Sequence, residues 1–193
     1  TLFRSLSRIA PGSEVVAVGA HRDGPVRTLL DVADRLDPDD PLLLSYCDYG
    51  VRWSLADFLA WCERGHWDAA MSAYRGFHPH SLGPTLYAYM RVEESADSAP
   101  GARVLEIREK HHFTADRMSE YAGAGLFWFR KAALALDAAR AIVADNERAA
   151  GEFYVSTAVE RVIASGARVG VYPLDLGLEP VGEAGDLVVV SAQ

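Results

Sequence analysis

Cysteine is scarce in this chain of 193 residues: only Cys47 and Cys62. Both sit in apolar segments, "LLLSYC" and "FLAWC", so they are expected to be buried, reduced thiols and not a disulfide pair. Thiols of that kind fit a cytoplasmic protein. No apolar run approaches the roughly twenty residues a membrane span needs, so no membrane partner is expected. Positive charge is in deficit too, with 19 Lys and Arg against 27 Asp and Glu, a net of −8. A surface that coats DNA or RNA would be basic, which argues against nucleic acid as a partner. A small local pocket for phosphate stays open. Internal repeats and low-complexity tracts are absent. So are the G-x-x-x-x-G-K-[ST] phosphate loop and the G-x-S-x-G elbow on which an α/β-hydrolase triad would be built. An initiator Met is missing as well. "TLFRS", Thr1 to Ser5, is what the common sequencing-adapter read ACGCTCTTCCGATCT encodes, so residues 1–5 are read as an assembly scar and set aside.

What is present suffices for a packed core. Hydrophobic residues make up 50% and charged residues 24%. That excludes disorder, and the length suits a single domain over 1–193.

The pattern predicts an alternation of elements. "SEVVAVGA" (Ser13 to Ala20) is a short β-branched run, read as a strand. In "GPVRTLLDVADRLDPDDP", Pro25 suits a helix's first turn, Leu29, Leu30, Val32, Ala33 and Leu36 form an apolar face, and Pro38 and Pro41 end it. "PLLLSYCD" is a continuous apolar run bounded by turn residues, hence a strand buried on both faces. "SLADFLAWCERG" reads as a helix with Ser54 as N-cap and Gly65 as its stop. "WDAAMSAYR", "TLYAYMRV", "ARVLEIRE" and "YAGAGLFWF" read as strands, with a polar turn over Glu93 to Gly101. "KAALALDAARAIVADNERA" and "STAVERVIASG" read as helices, the second capped by Ser156 and stopped by Gly166. "ARVGVYPL" is a last clear strand. Strand-helix-strand-helix, then strands, then helices predict an α/β sandwich with a mixed sheet, lacking a first strand because the chain begins abruptly.

Several residues could carry chemistry. Asp48 ends "PLLLSYCD", and ligands in open α/β sheets sit outside the carboxyl ends of strands. An acid there could hold Mg²⁺ against a phosphate, or be only a solvated strand-end acid. Gly123-Ala124-Gly125 would have to open a helix to bind a dinucleotide; a strand follows instead, so a NAD site is rejected. Gly125 either lets a ligand near the backbone or eases sheet packing. "IREKHHF" (Ile107 to Phe113) brings an acid, a base and two histidines in a row. Adjacent histidines in an extended segment point to opposite faces, and neither His111-His112 nor His78-Pro79-His80 is joined by cysteines at finger spacing, so zinc is not expected. Glu152, just before a helix, could accept from sugar hydroxyls or sit solvated near the positive end of the helix dipole.

Taken in order, these stretches resemble the sugar-nucleotide pyrophosphorylases, nucleotidyltransferases that join a nucleoside triphosphate to a sugar 1-phosphate. "GPVRTLL" is similar to the family's Gly-Pro/Ala-x-x-Thr stretch and "LLLSYCD" to its strand ending in Asp. "YAYMRVEESADSAPGARVLEIREK" resembles a strand-turn-strand leading to Glu-Lys-Pro, and "AGAGLFWF" a Gly before an aromatic strand. "GEFYVSTA" looks like the family's Gly-Glu-Tyr helix start, and "GEAGDL" like its late Gly-Thr-Pro-Glu-Asp-Leu. The likeness covers about residues 12 to 187. It implies a three-layer nucleotide-diphospho-sugar transferase fold, a Rossmann-like α/β sandwich. It also implies Gly24 and Thr28 near the nucleotide, Asp48 on Mg²⁺, and Glu109 and Lys110 on sugar and phosphate. Gly125 and Glu152 would line the sugar pocket. Catalysis would rest on Asp48 and Lys110, the partners would be a nucleoside triphosphate and a sugar phosphate, and a homo-oligomer is compatible.

The departures are specific. The family's Gly-Gly-x-Gly-x-Arg loop is missing and would precede Thr1. His111 stands at the proline of Glu-Lys-Pro. Pro180 stands where many members carry a second metal-binding Asp, with Asp175 or Glu179 as substitutes. "VVVSAQ" does not continue the family's expected helix. These features imply an incomplete domain, inactive alone. Two alternatives stand beside it: a non-catalytic homologue or subunit that binds sugar nucleotides, and a phosphocholine-type cytidylyltransferase. A metal-dependent glycosyltransferase would show Asp-x-Asp, which "CDYG" lacks.

Overall fold

The computed structural model describes residues 10–47, 49–50, 53–96, 99–174, 179–180 and 187–191. The helices are α1 (Pro25–Asp31), α2 (Leu55–Arg64), α3 (Ala132–Ala144) and α4 (Val155–Ala164). The main strands are β1 (Leu42–Tyr46), β3 (Ala69–Tyr74), β4 (Tyr89–Glu93), β5 (Ala102–Arg108), β6 (Tyr121–Phe129), β7 (Val169–Pro173) and β9 (Leu187–Ser191). Two-residue strands β2 (Tyr49–Gly50) and β8 (Glu179–Pro180) pair apart from them.

Local chemistry explains most of these boundaries. Pro25 occupies the first turn of α1, where its missing N–H costs nothing. Ser54 Oγ accepts from the Asp57 N–H at 3.2 Å and caps α2. Helix α3 has no side-chain cap; the Asp40 and Pro38 carbonyls take its first N–H groups, from Ala132 at 2.7 Å and Ala133 at 2.9 Å. Beyond α4, Gly166 adopts φ +89°, the left-handed stop that glycine favours.

The sheet is mixed, as expected, but it is not simply open. Its strand order is β3-β7-β5-β4-β6-β1-β9, and β3 pairs a second time, with β6. Strands β3, β7, β5, β4 and β6 therefore close into a five-stranded ring, from which β1 and β9 extend as a wing. The β3–β7 pair is parallel; the other pairings of this sheet are antiparallel. The outer edge of β1 is taken by β9, with Leu44 opposite Val189.

The period-2 alternation sorts the core onto two faces. Leu42, Leu44, Ala69, Met71, Phe127 and Phe129 share one face by register and pack with Leu29 of α1, Ile142 of α3 and Val162 of α4. Leu43, Ala70 and Trp128 share the other and pack with Phe58, Trp61 and Cys62 of α2. Helices thus cover both faces of β1, β3 and β6, giving a mixed α/β architecture.

Several expectations need correction. Ser13–Ala20 is not a strand: Val15 and Val18 are exposed, and the run meets no strand edge among the described residues. A β-branched run without a partner edge leaves its backbone groups to water. Strand β4 begins at Tyr89, and residues 85–88 lie outside it. Gly65 ends α2 in ordinary right-handed geometry, φ −78°. What requires glycine there is Trp67, whose indole fills the space a Cβ would need. Ser156 is not the cap of α4; Tyr154 holds that position and Ser156 lies in the first turn. Cys62 is buried and burial pushes its thiol up to about 12, but Cys47 is exposed because the chain leaves the sheet after Tyr46. No disulfide joins the two.

Candidate active site

Three segments meet around the residues singled out in the sequence: the carboxyl end of β5, the start of α4 and the start of α1. Glu109 and Lys110 follow β5 directly. Lys110 adopts φ +54°, a left-handed conformation uncommon for a side chain of its size, and it breaks the strand there. Its N–H donates to the Tyr87 carbonyl at 3.0 Å. Its ammonium donates to Tyr154 Oη at 2.7 Å and lies 4.6 Å from the centre of that ring. Tyr154 Oη in turn donates to Glu152 Oε2 at 2.7 Å. Beside this chain, Ser156 Oγ donates to Glu109 Oε2 at 2.5 Å.

The sequence dictates much of this arrangement. Residues 152–154 run extended into α4, so Glu152 and Tyr154 fall on one side while Phe153 turns into the core. Phe153 is fixed by its N–H to the Asp23 carbonyl at 2.7 Å, and its own carbonyl accepts from Val26 at 3.2 Å. Those bonds press Gly24 against the same segment. A Cβ on Gly24 would stand 2.9 Å from the Glu152 Cβ and 2.8 Å from the Phe153 oxygen, and Gly24 has φ +92°. Glycine is needed there twice over.

Electrostatics single out Glu109. Burial pushes its carboxyl up to about 7, and the negative charge of Glu152 adds to the rise. The Ser156 hydroxyl and the Lys110 ammonium pull the other way, without cancelling the desolvation. A carboxyl poised there exchanges its proton near neutral pH. The Tyr154 hydroxyl is also held above its ordinary value, by burial first and then by its bond to Glu152.

The histidines follow a different geometry from the one expected. The chain turns at Glu109 and Lys110 and the segment after them is irregular, so His111 and His112 do not alternate; their rings stack at 6.4 Å. His112 Nδ1 lies 2.7 Å from the Thr114 carbonyl oxygen. This segment is anchored by Glu120, a buried acid whose carboxylate accepts from the Phe113 N–H at 2.9 Å and from Thr114 N–H and Oγ at 2.5 and 2.6 Å. The Glu120 anchor thus restrains the segment that begins at His111.

Of the residues predicted for the site, the structure joins Gly24, Glu109, Lys110 and Glu152. Thr28 lies one turn into α1 with its hydroxyl 3.3 Å from His21 Nε2, and Gly125 is buried inside β6, not at a strand end. Gly125 has φ +74° where β6 carries surplus residues against β3: Ala73 faces Gly123 while Met71 faces Phe127. Its glycine serves an irregularity of the sheet. Asp48 and Asp175 lie outside the described residues. Tyr154 was not predicted from sequence, although its place two residues after Glu152 was a usable signal.

A cluster of aromatic residues borders the charged group. The Tyr87 ring meets Tyr74 edge-on at 6.0 Å at the end of β3, and Tyr172 and Leu174 join from the end of β7. The Lys110 backbone bond to Tyr87 thus links the charged group to the end of β3.

Solved structures share this fold. A nucleoside-diphosphate-sugar pyrophosphorylase from Vibrio cholerae RC9 superposes with a TM-score of 0.59 at 18% identity, covering 81% of this chain and 59% of that one. UDP-glucose pyrophosphorylase complexed with UDP-glucose gives 0.65 at 12%, covering 85% and 59%. Its apo form gives 0.65 at 11%, covering 85% and 57%. At such identities the likeness establishes a fold of the pyrophosphorylase type. The chain spans less than two thirds of each neighbour's length. No protein-family model and no curated protein sequence matches it. Among the described residues, no helix is long and apolar enough to cross a membrane.

Proposed function

We propose that this chain carries sugar-nucleotide chemistry: transfer of a nucleotidyl group from a nucleoside triphosphate to a sugar 1-phosphate, with release of pyrophosphate. One observation carries the reading. Lys110 and Glu152, far apart in sequence, are joined through Tyr154 in one hydrogen-bonded chain with Glu109 beside it, on a fold of the pyrophosphorylase type.

In this reaction a sugar-phosphate oxygen attacks the α-phosphorus in line as pyrophosphate leaves, and the protein's task is positioning and charge stabilisation. Lys110 supplies a fixed positive charge to a phosphoryl oxygen. A charge-assisted hydrogen bond of that kind contributes about 1.5–3 kcal/mol to binding, and any share felt only in the transition state speeds the reaction. Glu152 and Glu109 are acceptors for sugar hydroxyls, and Gly24 allows close approach at the start of α1. Thr28 is assigned to the nucleotide and Gly125 to the sugar pocket on the family resemblance alone. Mg²⁺ is assigned to Asp48 in the same way, where it would neutralise phosphate charge. Among the described residues no three His, Cys, Asp or Glu side chains converge as ligands, and no step here passes through the ion.

The full-length protein, supplied with Mg²⁺, nucleoside triphosphates and sugar 1-phosphates, is expected to release pyrophosphate. Asp48→Asn and Lys110→Ala should each lower turnover at least about tenfold, or about 1.4 kcal/mol. Unchanged turnover in both variants sinks the assignments. Pro180, standing in place of a second metal-binding acid, favours a second reading, a sugar-nucleotide-binding homologue without catalysis. Saturable binding of UDP-glucose with no pyrophosphate release under any substrate pair would select it.

A further inference from the structure

Tyr154 stands between the two ends of the site. Its hydroxyl uses both of its capacities at once, accepting from Lys110 at 2.7 Å and donating to Glu152 at 2.7 Å. Lys110 and Glu152 are the groups read above as contacts for phosphate and for sugar hydroxyls, and this inference rests on that reading. We propose that Tyr154 is a positioning residue that couples the two ends, so that occupying either one favours occupying the other.

The coupling follows from how hydrogen bonds in a chain act on one another. A donor to Tyr154 Oη polarises its O–H and strengthens the bond that O–H gives to Glu152. A phosphoryl oxygen that draws the ammonium away therefore weakens the Tyr154–Glu152 bond. Glu152 is then freer to accept from a sugar hydroxyl. Run in the other direction, a hydroxyl that takes Glu152 loosens Tyr154 and frees Lys110. Linkage requires the two effects to be equal. Glu109 stands beside this chain and not in it, since its own donor is Ser156.

The chain's composition makes a direct test practicable. It has only two lysines, Lys110 and Lys131. Lys131 pairs at 2.7 Å with exposed Asp39, away from the site, and serves as an internal reference. With side-chain-labelled lysine and Lys131→Arg for assignment, the 193-residue chain is titrated with inorganic phosphate, with and without saturating glucose. The expected result is a shift of the Lys110 signal alone, and phosphate binding at least about twofold tighter when glucose is present. Tyr154→Phe should bind phosphate by itself at least as tightly as wild type, because no bond has to be broken, and should show no glucose effect. A merely structural role would weaken binding instead. If Tyr154→Phe does not fold, Tyr154→Leu removes the same hydroxyl and should also abolish the glucose effect on phosphate.

The outcomes separate cleanly. A Lys110 signal indifferent to phosphate overturns the assignment of Lys110 to phosphate, and the coupling with it. A phosphate response in wild type that glucose leaves unchanged overturns the coupling alone. Persistence of the glucose effect in Tyr154→Phe removes Tyr154 from the role.

Discussion

Among the described residues, Glu109 is the acid whose titration the fold changes most. Its carboxyl is pushed up to about 7, first by burial and then by Glu152, so it holds a proton in the folded chain that an unfolded chain releases near 4.5. The sign follows by linkage. Between those values the folded state binds more protons, so Glu109 favours folding below about pH 4.5, and that contribution is lost as pH rises through 7. Glu109→Gln keeps the shape of the neutral acid and removes the titration. Its melting temperature is expected to exceed wild type at pH 8 and to match it near pH 5, and a constant difference across that range would refute the account. The acid-base pair Glu109-Lys110 was legible in "IREKHHF". The proton affinity was not, because it depends on what the fold packs over the carboxyl. The same limit applies to His111 and His112: the alternation rule failed once Lys110 left the extended region, and only the fold decided that it would.

At the scale of elements, close packing between strands and an aromatic cluster sets firm constraints. Trp61 and Trp67 pack 5.5 Å apart, and Tyr172 meets Trp61 at 5.3 Å. Gly170 of β7 lies beneath them: a Cβ there would stand 2.5 Å from Trp61 Cη2 and 2.7 Å from Trp67 Cε2. Gly101, just before β5, is tighter still, since its Cβ would run into the Val171 carbonyl oxygen, part of a backbone that cannot step aside. Gly101→Ala is expected to destabilise the protein by about 1–3 kcal/mol, read from the urea midpoint. A shift within error would mean that β5 and β7 separate more easily than their packing indicates. Most elements could be read from sequence because their periodicity was unambiguous: the all-apolar β6, the amphipathic α3, the Ser54 cap. Ser13–Ala20 could not, because β-branched residues make a strand only where an edge exists to receive them.

For the whole molecule, the ring of strands joins both helix faces into one structure. All four tryptophans, Trp53, Trp61, Trp67 and Trp128, belong to the cluster on the α2 face. Their fluorescence reports that face alone, while far-UV circular dichroism weighs heavily the three helices on the other. A single domain over the chain should show coincident unfolding curves by the two probes. Two separated transitions would mean that the faces unfold independently and that the one-domain reading is wrong.

By itself, the sequence determined the α/β class, the main strands and helices, and the short-range grouping of Glu109 with Lys110 and of Glu152 with the start of a helix. These depend on periodicity, capping and turn chemistry, which act over a few residues. Only the tertiary structure decided that the sheet closes into a ring, that β9 occupies the outer edge of β1, and that Gly125 serves a sheet irregularity. It alone placed Tyr154 between Lys110 and Glu152. Those features depend on contacts between residues tens of positions apart, and no local pattern encodes which distant strand or side chain fills the space.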